Sequence, residues 1–238
     1  MTNCTINNNA ATQDGGAIDN INHAILNLSN STVSGNSGVL TGGLVNEGSQ
    51  VGVTVKSSII ALNGGSSPDV RGLFQTAGFN LIGKRDGSTG FTAPTDLTGT
   101  TAAPLDPKLD PNGLQDNGGP TKTIALLCGS PAIDKWLRCS LNGSLTTDQR
   151  ATGFARVFDD AVVSNAIGGD GADIGAFERQ QTCATPTPTP TPTPTHNTQR
   201  RAVQFVELQR PGRLHLCNHQ RESRRRYLRP GKRRLQHV

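Results

Sequence analysis

Three strings decide the fold: TNCTINNN at Thr2–Asn9, SNSTVSGN at Ser29–Asn36 and KSSIIALN at Lys56–Asn63. They align at a constant offset of 27 residues. Gly15-Gly16 maps onto Gly42-Gly43 at the same offset, Leu26 and Leu28 map onto Val53 and Val55, and Asn9, Asn36 and Asn63 fall in register. Apolar residues alternate within each unit, as in Leu26-x-Leu28 and Val51-x-Val53-x-Val55, which is a strand period and not a helical one. Short strands, Asn and Gly corners and a fixed period predict a parallel β-helix. Equivalent residues of successive turns then stack about 4.8 Å apart. Ile6, Val33 and Ile60 would form an internal apolar ladder, and Asn9, Asn36 and Asn63 would exchange amide hydrogen bonds at a corner. A β-sandwich with coincidental similarity is the alternative.

Composition agrees with an all-β chain. The 238 residues are 33% hydrophobic and only 4% aromatic, with 28 Gly and 14 Pro, which suits short strands and turns better than helices. No apolar run approaches the roughly 20 residues of a helical membrane span. Charge is unevenly placed. Residues 1–195 hold 11 Lys and Arg against 16 Asp and Glu, a balance of −5, while residues 196–238 hold 12 against 2, a balance of +10. The overall +5 belongs to the last segment alone. Met1 lies inside a repeat unit with no leader pattern before it, so upstream turns and an export signal are expected to be missing. A coil starting there exposes a bare sheet edge.

GGAI at Gly15–Ile18, with I-x-x-N at Ile6–Asn9 and V-x-x-N at Val33–Asn36, resembles the GGAI and F-x-x-N repeats of polymorphic outer-membrane proteins, with Ile and Val in place of Phe. Further on stand GFNLIG (Gly78–Gly83), NGGPTKTIALLCGSPAID (Asn117–Asp134), TDQR (Thr147–Arg150) and ADIGAFE (Ala172–Glu178). These strings, in this order, resemble the choice-of-anchor Q domain of bacterial surface proteins. The resemblance implies a right-handed parallel β-helix of pectin-lyase type, placed on an exported protein, with no established catalytic activity. Domain organisation follows: rungs over residues 1–77, a choice-of-anchor Q-like region with an irregular C-terminal cap over 78–181, a linker over 182–195 and a basic tail over 196–238. The cap is expected to close the bottom of the coil and cover its last edge strand. Thr121–Leu127 alternates and reads as a strand.

Structural readings outweigh chemical ones. Asp134 and Asp148 read as carboxylates that brace loops by accepting backbone N–H bonds, with Arg150 pairing to Asp148 or Asp173. Gly168–Asp173 fits a calcium nonapeptide, but one copy lacks the tandem turn that completes the ligand set. No metal or cofactor is therefore expected, Asp170 and Asp173 being the candidate ligands if there were one. A polysaccharide lyase or hydrolase on such a fold needs a carboxylate pair, or calcium with a basic residue, on an exposed face. Residues 1–70 offer Asp14, Asp19, Glu47 and Asp69 only, and Asp159-Asp160 are neighbours that point to opposite faces of a strand. His23 is isolated. Of the five cysteines, Cys128 and Cys139 are close enough to bridge a loop, which export would favour, and Cys4 reads as free.

Thr185–Thr195 alternates Thr and Pro and predicts an extended polyproline spacer. The tail beyond it is Arg-rich and patternless, and a disordered nucleic-acid arm is one reading. Read one base later, codons permitted over residues 202–236 are compatible with NAVQFSSSSYSV-x-E, a V-T-I-T-like strand and VDYST, which resembles a Calx-beta domain. The tail is accordingly expected to be out-of-frame translation, with no nucleic-acid partner. The sequence thus predicts a non-enzymatic, exported bacterial surface β-helix used for adhesion, display or spacing. Its partner would be a surface ligand such as a polysaccharide or a protein of a host or neighbouring cell. A polysaccharide-active enzyme is the alternative, and a basic nucleic-acid-binding tail a further one.

Overall fold

Alternation of Val, Ile and Leu with Ser, Thr and Asn makes short strands, and Gly or Asn in left-handed conformations turns the chain between them. The computed structural model describes residues 1–22, 24–48, 52–67, 69–137 and 145–183. His23, Cys139, Cys217, the Thr-Pro segment and the basic tail lie outside the described residues. The chain divides into a unit Met1–Pro188 and a unit Thr189–Val238, the latter wholly outside them. Among the described residues all regular structure is β: β1 (Thr5–Asn7), β2 (Ile18–Asn20), β3 (Leu26–Ser29), β4 (Thr32–Ser34), β5 (Leu44–Asn46), β6 (Val53–Lys56), β7 (Ile59–Ala61), β8 (Val70–Thr76), β9 (Leu81–Ile82), β10 (Ser88–Thr89) and β11 (Leu97–Thr98).

These strands form two parallel sheets, ordered β1-β4-β7-β9-β11 and β2-β5-β8-β6-β3, with β10 beside β8. Thr5, Thr32 and Ile59 lie side by side, as do Ile6, Val33 and Ile60, and Leu26 and Leu28 pair with Val53 and Val55. Because side chains alternate, the Ile6–Val33–Ile60 row faces inward and joins Leu28, Leu44, Val53, Val55, Val70, Phe74 and Ile82 in a core between the sheets. Burying each such side chain contributes roughly 1.5–3 kcal/mol. The alternate row, with Thr5, Thr32, Ile59 and Leu81, faces the other way.

This arrangement corrects the expected right-handed β-helix solenoid with its irregular cap. First, β8 pairs with β5 over Val70–Gly72 and with β6 over Phe74–Thr76. Two stacks that a solenoid keeps as separate faces therefore merge into one sheet that curls like half a barrel. Second, the separation between paired residues is 27 at Asn9 and Asn36 but falls to 22 between Ser58 and Asn80 and 16 between Asn80 and Asp96. No constant turn length is maintained. Third, the C-terminal region does not cap an end. It folds back as an irregular layer over the outer face of the five-stranded sheet. Asn3 Nδ2 donates to Thr147 O, Thr5 Oγ1 to Gln149 Oε1 and Ala176 N to Thr32 Oγ1, each across 144 residues. Ile59, Ala61 and Leu81 pack there with Leu109, Ile124, Leu126, Ile133, Trp136, Ile174 and Phe177 in a second core. The strand expected over Thr121–Leu127 is also absent: isolated antiparallel bridges, Gln115 with Thr123 and Leu109 with Leu126, take its place.

Candidate functional site

The outer layer is held by buried carboxylates. Asp134, Asp148, Asp160, Asp173 and Glu178 are all buried. Each one accepts main-chain N–H groups from a distant loop. Asp148 takes the N–H of Arg150 at 2.7 Å and that of Glu178 at 2.8 Å. Asp173 takes Asp134 N at 2.9 Å and Arg179 N at 2.8 Å. Glu178 takes Asp173 N at 2.8 Å and Phe158 N at 2.9 Å. Asp160 takes Cys183 N at 2.7 Å, and Asp134 takes Asp160 N at 3.2 Å. The strings GSPAID, TDQR and DIGAFE are thereby tied to one another through their acids.

Two buried arginines complete the cluster. Arg150 pairs with Asp148 at 2.7 Å, donates to Glu178 O, and lies between the rings of Phe154 and Phe177, 4.0 and 3.9 Å from their centroids. Arg156 sits 4.9 Å from the Trp136 ring and donates to Asp173 O and Gly175 O. Burial, then the Asp173 charge, pushes the Asp134 carboxyl up to about 7. Burial alone takes Asp173 up to about 6, against main-chain donors that favour its ionised form. Burial, followed by Asp173, holds Glu178 well above the usual range. A cleft of about 370 Å³ opens beside Arg150, Phe154, Phe177 and Arg179.

Between the sheets' corners run rows of side-chain hydrogen bonds. Asn9 Nδ2 donates to Asn36 Oδ1 at 2.9 Å, Asn36 Nδ2 to Asn63 Oδ1 at 3.0 Å, and Asn63 Nδ2 to Asp69 Oδ1 at 3.0 Å. Burial raises the Asp69 carboxyl above its ordinary value. A second row runs from Asn20 Nδ2 to Asn46 Oδ1, 3.0 Å apart. A third runs through Ser31 and Ser58 to Asn80, whose Nδ2 donates to Asp96 Oδ1 at 3.0 Å. The Gly15-Gly16 and Gly42-Gly43 corners pack tightly: a Cβ on Gly43 would meet Asp69 O at 2.0 Å.

On the opposite sheet Arg71 bridges Asp14 at 2.5 Å and Glu47 at 3.1 Å, and Asp14 also accepts the N–H groups of Leu40 and Thr41. Asp19 stands nearby, its carboxyl raised by burial and then by Glu47 and Asp14. Of the nonapeptide candidates, Asp173 is fully engaged in the buried cluster, and among the described residues no group of three or more acidic, His or Cys side chains is placed to hold a metal ion. The expected Cys128–Cys139 bridge is corrected: Cys128 pairs with Cys183, their Cα atoms 5.4 Å apart. The outer layer brings these two together across 55 residues. Cys4 is the free cysteine among the described residues.

Sequence reasoning missed Arg71, Asp96 and Arg156, and it weighed Asp69 and Asp160 only as candidate enzyme carboxylates, not as the hydrogen-bond acceptors they are here. Asp69 and Asp96 end rows whose earlier members were visible, but both fall off the 27-residue period. Glu178 was quoted within ADIGAFE without a role. Comparison with protein-family profiles, with curated proteins and with solved structures gives no match.

Proposed function

We propose that the chain is a non-enzymatic part of an exported bacterial surface protein, in which a parallel-sheet body serves adhesion, display or spacing. The observation that carries this reading is the use of the buried acids. In GSPAID, TDQR and DIGAFE they are consumed by main-chain donors, which leaves them as braces and not as acid–base catalysts. The likeness of these strings to the choice-of-anchor Q domain supports a cell-surface or extracellular location. The Cys128–Cys183 disulfide fits an oxidising compartment. The surface ligand on this reading is a polysaccharide or a protein of another cell, and the tail contributes no nucleic-acid binding. The test is incubation of the protein with acidic and neutral polysaccharides and with intact bacteria. Saturable binding with unchanged polymer length is expected. A fall in polymer length that survives repurification would overturn the reading.

The polysaccharide-active alternative has one observation in its favour, the grouping of Asp14, Asp19 and Glu47 about Arg71. If depolymerisation were found, its loss in E47Q and D19N, with folding intact, would locate it there.

A further inference from the structure

Residues 1–195 carry more acid than base, a balance of −5. The cleft of about 370 Å³ in the outer layer runs against that balance. Arg150, Arg179, Phe154, Phe177, Asn117 and Gln180 line it, and none of its lining residues is acidic. Its volume lies within the roughly 300–1,000 Å³ of small-ligand sites, and its walls mix apolar and polar groups as such sites do.

The guanidinium groups hold unspent donors. Arg150 is 5% exposed. Its Nε and Nη2 are spent on Asp148 and Glu178 O, whereas Nη1 has only Asn117 O at 3.4 Å. Arg179 is half-buried, and its Nη1 donates to Leu126 O at 3.2 Å. Its Nε is buried without a hydrogen-bond partner. Among the described residues its side chain joins no ion pair. Asp173, whose charge acts on this region, accepts main-chain N–H groups of Asp134 and Arg179 instead. A sheltered cation without a counter-charge, in a cleft free of acids, fits an anionic ligand. The guanidinium fork matches the two oxygens of a carboxylate.

The other walls point to a sugar. Asn117 and Gln180 spend their amide N–H groups on main-chain oxygens, Thr123 O and Ala155 O, at 3.0 and 2.7 Å. Their side-chain oxygens are left to accept hydroxyl groups. Phe154, half-buried with Arg150 against its ring, adds an apolar wall for a ring's C–H face.

We propose that this cleft binds a carboxylated sugar residue of an acidic polysaccharide, with Arg179 as its main counter-charge and Arg150 Nη1 as a second donor. The inference gives the polysaccharide reading above a site and a ligand chemistry, and it rests on that reading.

The test is the rise in melting temperature of the full-length protein with increasing ligand, since a ligand that binds only the folded state stabilises it. The probes are methyl glucuronide, methyl glucoside, methyl glucoside 6-sulfate and N-acetylalanine. The glucuronide is expected to bind about tenfold more tightly than the glucoside, the worth of one charge-assisted hydrogen bond. It should also bind more tightly than the sulfate ester, which lacks the planar pair of oxygens, and than N-acetylalanine, which lacks the ring. R179Q should bring glucuronide binding down to the glucoside level, and R179K should fall between, because an ammonium has no fork. Both variants keep the basic tail, so a loss of binding reads the cleft. Equal affinity for glucuronide and glucoside would overturn the proposal. So would equal or tighter binding of the sulfate ester or N-acetylalanine, or full glucuronide binding in R179Q. If polysaccharides or bacteria still bind while the cleft takes no glucuronide, this inference alone fails; if neither they nor the glucuronide bind, the surface reading falls with it.

Discussion

Truncating Asn36 tests whether the amide row is a structural spine. Its side chain is 1% exposed. Nδ2 donates to Ile6 O, Ser34 O and Asn63 Oδ1 at 3.0, 3.1 and 3.0 Å, and Oδ1 accepts Asn9 N and Nδ2. In Asn36→Ala the Asn63 oxygen keeps the Asn36 main-chain N–H, and Ser34 O keeps Asn7 Nδ2 at 2.6 Å. What is lost is three donated bonds and the acceptor for Asn9, in a site closed to water. At about 1 kcal/mol for each bond, the cost is about 3–4 kcal/mol. Asn9→Ala is the internal control. Asn9 is exposed, and Asn36 Oδ1 retains its main-chain donor, so the loss is below about 1 kcal/mol. Asn36→Asp should exceed Asn36→Ala, because it sets a carboxylate against Ile6 O and Asn63 Oδ1. The measurement is urea unfolding with constant slope. Equal midpoints for Asn9→Ala and Asn36→Ala, or an Asn36→Asp variant as stable as wild type, would refute the reasoning.

Replacing Cys128 and Cys183 together with Ser reopens a 55-residue loop and should cost about 4 kcal/mol, read as a lower urea midpoint, and a non-reduced peptide map should join these two cysteines. Asp134 and Asp173, at about 7 and about 6 in the fold, hold protons that the unfolded chain releases near 3.8. Their stabilisation is complete below about pH 4 and is lost as pH rises through 6–7, so the melting temperature should fall from pH 5 to pH 8. A melting temperature that is flat or rising over that window contradicts this sign, and D134N should flatten the slope. Arg150→Ala strips the buried Asp148 of its partner and should cost about 3–5 kcal/mol, whereas Arg71→Ala, on the surface, should cost about 1 kcal/mol or less by the same unfolding assay.

The strands of the first sixty residues were legible because alternation and spacing act locally: Ile6, Val33 and Ile60 are neighbours across one face, and Leu26 and Leu28 lie beside Val53 and Val55. The layering was not. A solenoid was expected because a constant period was carried beyond where turn lengths change, at β8 and β9. A signal against it was present. Ile59-Ile60-Ala61 is apolar at consecutive positions, and a strand that is apolar on both sides is buried on both sides. That pattern called for a covering layer, which Leu109, Ile124, Leu126, Ile133, Trp136, Ile174 and Phe177 provide. The Cys128–Cys183 pairing and the meeting of Arg71 with Asp14 and Glu47 arise from contacts between segments far apart in sequence, and no local spacing announces them.

The fold-back of the outer layer sets an order of events in synthesis. Ile59 and Leu81 leave the ribosome long before Ile174 and Phe177, which cover them. At roughly 5–20 residues per second, the apolar face stays bare for about 5–20 s while the remaining chain is made. During that interval the sheet has its strands but not its covering layer. A nascent chain stalled in this window carries its own aggregation surface, and the cell must either hold it unfolded or finish it quickly.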